Sequence, residues 1–272
     1  MEKGNGAMNH PHSYLFVPGH RADRFEKAAA SGAHRIIIDL EDAVAPAEKD
    51  DARRNIVSWF QQGGSGVVRI NGADTFWFDA DLAAVASCPH AEVMVPKATV
   101  ASLQRVARFL IDTPLLALVE SVEGLVDIHA VAAVDAVTRL AFGNLDFGAD
   151  SRISGGGSFL DPARFQIALA SRHANLLPPI DGVTVSLDDE AKLLEDVERA
   201  KGFGFSAKLC IHPRQIGVVN AGFLPSETDI AWASTILAAV QSTQGEAIQI
   251  DGKMVDKPII ERDRAILSGR SA

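Results

Sequence analysis

Short apolar segments recur along the chain and alternate with amphipathic segments. Eight apolar runs have the length of buried strands, at 14–17, 35–40, 67–70, 92–95, 115–119, 140–142, 181–185 and 207–211. Stretches with helical periodicity follow most of them, at 21–31, 48–60, 76–86, 100–110, 127–134, 162–175 and 187–201. This alternation is typical of parallel strands joined by crossover helices. We therefore predict an α/β fold, a (β/α)8 TIM barrel.

Two further helical patterns, at 229–241 and 259–267, lie after the eighth apolar run. The chain has 272 residues and no linker rich in Pro, Ser or charge, and barrels of this length commonly fold as one domain. We predict a single barrel domain over 1–272, in which 1–12 are flexible and 222–272 form a C-terminal helical extension.

Charge and hydropathy exclude two classes of partner. The net charge is -9 and the positive residues are dispersed, whereas binding to nucleic acid needs a concentrated basic face. The apolar runs are far shorter than the roughly twenty residues that cross a bilayer, so we predict no membrane partner and a cytoplasmic location. An anionic ligand must then be held locally, by a metal, by a few placed arginines or by helix N-termini.

Three charged side chains follow predicted strands. Glu120 and Asp146 each lie just past an apolar run, next to a glycine-containing loop, and Arg69 lies near the end of the run at 67–70. Parallel barrels keep their chemistry at the carboxyl ends of the strands, so we expect these side chains to lie together. Isolated acids at such positions are also commonly just solvated. Arg69 at the same end strengthens the case for a functional site, because a planar guanidinium can bind both oxygens of a ligand carboxylate.

A cluster of acids at the end of the second run adds to this picture. Asp39, Glu41 and Asp42 occupy three of four consecutive positions. Like charges this close raise one another's pKa, so a cation or backbone donors should lie nearby. A cap for the following helix is the alternative reading. Oxygen ligands without a Cys or His cluster favour Mg²⁺ over Zn²⁺.

Several motifs in order resemble one known family, the citrate lyase β-subunit group of the HpcH/HpaI aldolase superfamily. The matching stretches are Leu15-Phe-Val-Pro-Gly19, Ile38-Asp-Leu-Glu-Asp-Ala-Val44, Val68-Arg-Ile-Asn-Gly72, Met94-Val-Pro-Lys97, Val119-Glu-Ser121, Phe142-Gly-Asn-Leu-Asp146, Cys210-Ile-His-Pro-Arg-Gln-Ile216 and Gly252-Lys-Met-Val-Asp256. They extend over nearly the whole chain.

The resemblance implies a set of roles. Glu120 and Asp146 match the two Mg²⁺ ligands, and Arg69 matches the catalytic arginine that binds the substrate carboxylate and stabilises its developing charge. Glu41 and Asp42 match the acidic motif that lines the catalytic site. Substrate binding is assigned to Arg69 together with Gly143, Asn144 and Lys97, although a lysine snorkelling from the barrel rim is an equal alternative for Lys97. The general acid or base is not assigned.

The family resemblance implies a Mg²⁺-dependent carbon–carbon lyase. Such an enzyme reversibly cleaves a 3-hydroxy-acyl-CoA of the citryl-, citramalyl- or malyl-CoA type into an acyl-CoA and a 2-oxo acid. Two alternatives stay open: an aldolase acting on free hydroxy-oxo acids without CoA, and a subunit that acts only with an acyl-carrier partner. The resemblance also implies a homotrimer.

Overall fold

Eight parallel strands close into a barrel in the order in which they occur along the chain, with β8 returning to pair with β1. The structure, a computed structural model, describes residues 10–242, 248–250 and 253–268. The barrel strands are β1 (Ser13–Pro18), β2 (Arg35–Asp39), β3 (Val67–Arg69), β4 (Glu92–Val95), β5 (Leu115–Val119), β6 (Val137–Phe142), β7 (Leu177–Asp181) and β8 (Ala207–Cys210). The predicted (β/α)8 barrel is confirmed.

Helices occupy the connections between the strands. They are α1 (Phe25–Ala29), α2 (Lys49–Gln61), α3 (Phe78–Val85), α4 (Val100–Phe109), α5 (Val122–Val126), α6 (Ile128–Ala132), α7 (Asn144–Ser151), α8 (Asp161–His173), α9 (Glu190–Gly202) and α10 (Arg214–Phe223). Apolar faces of these helices and the outward faces of the strands form the larger core of the barrel. Cys88 and Cys210 are buried free thiols.

Alternation along the strands brings charged groups to one mouth of the barrel. Successive side chains of a strand point to opposite faces, and the interior is filled by a separate apolar cluster that includes Ile37, Val67 and Leu118. Two residues after each of these lie Asp39, Arg69 and Glu120, which therefore face inward at the carboxyl ends of β2, β3 and β5. All three are buried.

The seventh strand differs from the sequence prediction. We expected it at 181–185, but it spans Leu177–Asp181 and contains Pro178 and Pro179. Prolines remove backbone donors and usually argue against a central strand. Here the pairing is sparse, since only Leu177 and Ile180 have partners on β6, while the two proline carbonyls accept bonds from Arg139 and from the backbone of Ser206. The sequence prediction of 181–185 was wrong.

Helices α7 and α10, and the short α5, are also absent from the sequence prediction. The first follows β6 directly, so Asp146 stands in the first turn of a helix and not in the expected glycine loop. Gly148 inside this helix and its length of eight residues hide its periodicity. The second, α10, is the helix that follows β8.

A second compact unit comprises the described residues from Leu224 onward, together with His10. It contains α11 (Glu227–Ser242), the antiparallel pair β9 (Ile248–Ile250) and β10 (Lys253–Val255), and α12 (Lys257–Ser268). Ile236, Val240, Val255 and Ile260 form its small core. The predicted C-terminal helices are confirmed, and the single-domain organisation of 1–272 stays a prediction. Most of the segment 1–12 that we expect to be flexible lies outside the described residues.

Within the described ranges, helices that are both long and apolar enough to cross a membrane are absent.

Candidate active site

A cavity of about 370 Å³ opens at the carboxyl ends of the barrel strands. Its walls come from seven strand ends or the loops that follow them. The lining residues are Phe16, Asp39, Asp42, Ala43, Arg69, Leu118, Glu120, Gly143, Asn144, Leu145, Asp146, Val183, Leu209 and Ile211. Six of the nominated residues thus share one cavity: Asp42, Arg69, Glu120, Gly143, Asn144 and Asp146.

Arg69 is held rigidly by an acid of the neighbouring strand. Its Nε and Nη2 each donate a 2.7 Å hydrogen bond to the two carboxylate oxygens of Asp39. The sequence suggests that Arg69 binds a ligand carboxylate at two points, but in the structure it makes this two-point contact with Asp39. Burial lowers the pKa of Arg69, but the hydrogen bond and charge of Asp39 outweigh burial and raise it. The guanidinium is a permanent cation, and its remaining donors are those on Nη1 and one on Nη2.

Asp39 also shapes the turn that carries the acidic motif. Its Oδ1 accepts a 2.9 Å bond from the Glu41 N–H, and its Oδ2 accepts a 3.0 Å bond from the Ala43 N–H. Both carboxylate oxygens therefore receive two donors each when Arg69 is counted. Asp39 belongs to the acidic cluster of the sequence but is not among the predicted site residues, because an acid at a strand end is equally compatible with a turn or a helix cap.

The other two acids of the motif differ in environment. Asp42 is exposed and lines the cavity, with Oδ2 3.7 Å from Arg69 Nη1. Glu41 is buried, and its Oε2 lies 3.0 Å from the same nitrogen but has no hydrogen-bond partner among the described residues. Burial raises the pKa of Glu41 to about 8, which exceeds the opposing effect of Arg69. Glu41 can therefore carry a proton at neutral pH.

Glu120 stands directly after β5, in a pocket of backbone. Its Oε1 accepts a 2.8 Å bond from the Lys97 N–H, at a residue whose φ of 44° is in the left-handed region. Burial raises the pKa of Glu120 to about 7, and the negative charge of Asp146 adds to the rise. Close approach of backbone also requires Gly143, since a methyl group there would lie 2.5 Å from Glu120 Cβ and 2.6 Å from its Oε2.

Glu120 and Asp146 suit a hard divalent cation. The negative charge of Asp146 raises the pKa of Glu120, and the buried Glu41 Oε2 makes no hydrogen bond to the described residues although Arg69 Nη1 lies 3.0 Å away. Groups of three or more His, Cys, Asp or Glu side chains arranged around a metal position do not occur within the described residues. Two acids leave most of the coordination shell to water and substrate, which fits Mg²⁺ and does not fit a closed structural zinc site.

Two of the nominated binding residues have other contacts. Asn144 donates from Nδ2 to the Val183 carbonyl at 3.1 Å and accepts from the Val183 N–H at 2.8 Å. Its amide thus fixes the loop after β7. Lys97 is exposed and is not among the residues lining the cavity, and its backbone rather than its ammonium group contacts Glu120. Roles in substrate binding for both stay predictions.

Lys49 is not among the residues predicted from the sequence, yet it holds the backbone of the acidic motif. Its buried Nζ donates to the carbonyls of Leu40 (2.6 Å) and Glu41 (2.7 Å) and to Asn71 Oδ1 (2.7 Å). It ties the ends of β2 and β3 together. A signal was available, because Lys49 precedes the buried Ala52 and Ile56 of α2 by three and seven residues and so lies on its apolar face.

Comparisons with known proteins agree on one family. The model of the HpcH/HpaI aldolase/citrate lyase family matches residues 12–213. A (3S)-malyl-CoA thioesterase from Cereibacter sphaeroides is 34% identical over 97% of this chain and 96% of its own length. The structure of CitE from Mycobacterium tuberculosis with magnesium, acetoacetate and coenzyme A has a TM-score of 0.86 and 32% identity, covering 97% of this chain and 100% of that chain.

A further solved structure is the citrate lyase beta subunit from M. tuberculosis complexed with oxaloacetate and magnesium. It has a TM-score of 0.72 and 32% identity, covering 80% of this chain and 99% of that chain. With the family model matching residues 12–213 and the C. sphaeroides relative matching 97% of the chain at 34% identity, the protein belongs to the HpcH/HpaI aldolase/citrate lyase family.

Proposed function

We propose that this protein is a Mg²⁺-dependent carbon–carbon lyase that reversibly cleaves a 3-hydroxy-acyl-CoA into an acyl-CoA and a 2-oxo acid. The substrate is of the citryl-, citramalyl- or malyl-CoA type. One observation carries the proposal: Arg69, locked by Asp39, lines the same cavity as Glu120 and Asp146. Crystallised relatives contain magnesium with coenzyme A or oxaloacetate, which supports both halves of the proposed substrate.

Glu120 and Asp146 are the residues that would hold Mg²⁺. When bound, the ion supplies Lewis acidity that polarises the oxygens of the oxo-acid half. Arg69 lines the cavity and contributes the donors that Asp39 leaves free. Donors that the protein holds in place stabilise developing negative charge more strongly than water does.

Cleavage of the carbon–carbon bond requires the transfer of protons as well as of an electron pair. In cleavage, the hydroxyl on the carbon that bears the carboxylate loses its proton, the bond to the carbon next to the thioester breaks, and the first carbon becomes the oxo carbon. The electron pair passes to the thioester enolate, whose carbon then takes up a proton. Glu41, with its pKa raised to about 8, is the carboxyl of the acidic motif suited to holding a proton there.

A panel of citryl-, malyl- and citramalyl-CoA, assayed with Mg²⁺ and with excess chelator, tests the proposal. Chromatography of the products should show a shorter acyl-CoA and a 2-oxo acid in equal amounts, only with Mg²⁺. Turnover that persists in chelator, or no cleavage of any member, would contradict it.

Hydrolysis of the thioester is a second candidate, because the C. sphaeroides relative is named a (3S)-malyl-CoA thioesterase. The same chromatograms separate the two reactions. A thioesterase releases free CoA and leaves the hydroxy acid intact, whereas a lyase retains the CoA in the acyl product.

We also propose that the protein forms a homotrimer. Light scattering on a size-exclusion column should give three times the mass of the chain. A monomer at micromolar concentration would contradict the trimer, and activity that appears only on adding an acyl-carrier protein would favour the alternative of a subunit that acts with a carrier partner.

A further inference from the structure

The pairing of β6 with β7 stops short of the barrel mouth. The two strands pair last at Ala141 and Ile180, and their register already shifts before that point. Beyond Phe142 the chain leaves the sheet, because α7 begins at Asn144. The backbone N–H and carbonyl groups that follow β7 therefore need hydrogen-bond partners other than a neighbouring strand.

The side chain of Asn144 supplies these partners. Its Oδ1 accepts a 2.8 Å hydrogen bond from the Val183 N–H, and its Nδ2 donates a 3.1 Å hydrogen bond to the Val183 carbonyl. Asn144 lies three residues after Ala141, and Val183 lies three residues after Ile180. The amide thus meets the residue that a continued register would place opposite it. We call this two-point contact the Asn144 clasp.

The loop that the Asn144 clasp binds is itself anchored in the barrel. The Gly182 carbonyl accepts a 2.7 Å hydrogen bond from Nζ of Lys208, which is buried on β8. Gly182 has no room for a side chain, since an added methyl carbon would lie 2.0 Å from Asn144 Oδ1. The loop therefore offers a fixed point to which the first turn of α7 is tied.

The carboxylate of Asp146 has no support of its own. It is exposed, and it makes no hydrogen bond or ion pair with any residue in the described part of the chain. Glu120, by contrast, is buried and accepts a 2.8 Å hydrogen bond from the Lys97 N–H. The position of Asp146 is therefore set by the backbone of the first turn of α7, in which Asn144 is the first residue.

From these contacts we infer that Asn144 is a positioning residue for the metal centre. Through Val183 it holds the first turn of α7, so that Asp146 stays at the cavity that Glu120 also lines. This rests on the two metal ligands of the proposed function, and it differs from the substrate-binding role that the sequence predicts for Asn144. Loss of a residue that orients a metal ligand typically weakens metal binding by about ten- to a hundredfold.

Asn144→Ala removes the clasp without disfavouring the helix, because alanine has the highest helix propensity. Mg²⁺ is titrated into the full chain by calorimetry without any oxo acid, so that contacts to substrate do not contribute. Mg²⁺ should bind about tenfold more weakly to the variant than to the wild-type protein. An unchanged Mg²⁺ affinity overturns the inference. If the variant then binds pyruvate more weakly in saturating Mg²⁺, Asn144 acts on the substrate instead.

Asn220→Ala is the matched control. Asn220 is also a half-buried asparagine in a helix, and its Nδ2 donates a 2.9 Å hydrogen bond to the Gly32 carbonyl. Gly32 precedes β2, so this contact lies at the end of the barrel opposite to the cavity. The Mg²⁺ affinity of this variant should equal that of the wild-type protein. An equal loss in both variants, each folded by circular dichroism, would reflect general stability and would overturn the inference.

Hydrogen exchange followed by mass spectrometry tests the clasp apart from the metal. In chelator, the backbone amides of 147–151 should exchange faster in Asn144→Ala than in the wild-type protein, and at the wild-type rate in Asn220→Ala, because only the first variant releases α7. Unchanged exchange in Asn144→Ala overturns the inference. Faster exchange with unchanged Mg²⁺ affinity overturns it alone, whereas a wild-type protein that binds no Mg²⁺ overturns the proposed metal centre and this inference with it.

Discussion

Replacing Asp39 with Asn removes one charge from a buried pair without changing its shape. Asp39 is 1% exposed, and its two oxygens accept from Arg69 and from two backbone N–H groups. Whichever way an asparagine amide is turned, its NH₂ group faces two of these donors, one from Arg69 and one from the backbone. The variant leaves buried donors unsatisfied and a guanidinium short of its counter-charge.

Breaking one side of a buried ion pair costs about 3–5 kcal/mol. For a domain of this size each kcal/mol shifts the melting temperature by about 2–4 °C, so Asp39→Asn should lower it by roughly 6–20 °C. The measurement is urea unfolding followed by far-UV circular dichroism, with a thermal scan beside it. Both should be done in chelator, so that metal binding does not contribute to stability.

Asp188→Asn is the matched control. Asp188 pairs with Arg214 at 2.9 Å, but the two side chains are 86% and 70% exposed. An exposed pair contributes at most about 1 kcal/mol. If Asp39→Asn lowers the free energy of unfolding no more than Asp188→Asn does, then Arg69 does not depend on Asp39 for its counter-charge. That result would refute the claim that Asp39 holds the guanidinium in place for the proposed function.

Three further predictions concern the same end of the barrel. Gly143→Ala should abolish most Mg²⁺-dependent turnover and lower the free energy of unfolding by about 1–3 kcal/mol, because the added methyl group overpacks against Glu120. Gly217→Ala is the control, since a methyl group there meets nothing within 4 Å and should leave stability unchanged or raise it. Equal activity of the two variants would contradict this prediction. Because burial raises the pKa of Glu41 to about 8 and of Glu120 to about 7, the folded state holds protons that the unfolded state has lost. Without metal, the free energy of unfolding should therefore fall as pH rises from about 5 to 8, and Mg²⁺ should stabilise the protein increasingly over the same window. Urea unfolding curves at several pH values test this, and a flat or opposite trend would refute the claim that burial raises the pKa of these two carboxyl groups. Lys49→Met should lower kcat more than it raises KM, because it releases the backbone that carries the acidic motif, while Lys49→Arg should restore part of kcat; steady-state kinetics on a cleaved thioester measure this, and an effect confined to stability would show a structural role only.

The architecture was largely predictable from the sequence because strand alternation and strand-end chemistry are local properties. The apolar runs at 67–70, 115–119 and 140–142 predict the barrel, and Arg69, Glu120 and Asp146 at or just past their ends predict the mouth at which these side chains meet. The helix α7 was not predictable, since its eight residues include a glycine and read as a loop. As a result, Asp146 is placed one helical turn away from the expected strand end.

Pairing between side chains was beyond the sequence. Arg69 makes its two-point contact with Asp39, and Asn144 binds the backbone of Val183. Both pairings depend on which strands become neighbours in the closed barrel. The burial of Lys49 was likewise difficult to predict, because a lysine at the start of a helix is usually solvated. Only its spacing to Ala52 indicates that it lies on the buried face. Charge type and position were available from the sequence, whereas partner choice required three-dimensional contact.

The most direct test of the account is the binding of Mg²⁺ itself, measured by isothermal titration calorimetry in the presence of pyruvate. Wild-type protein should bind one Mg²⁺ per chain, and Glu120→Gln and Asp146→Asn should each weaken binding at least about tenfold while the circular dichroism spectrum is unchanged. Equal Mg²⁺ affinity in all three proteins would contradict the claim that these two carboxylates, facing Arg69 across one cavity, form the metal centre.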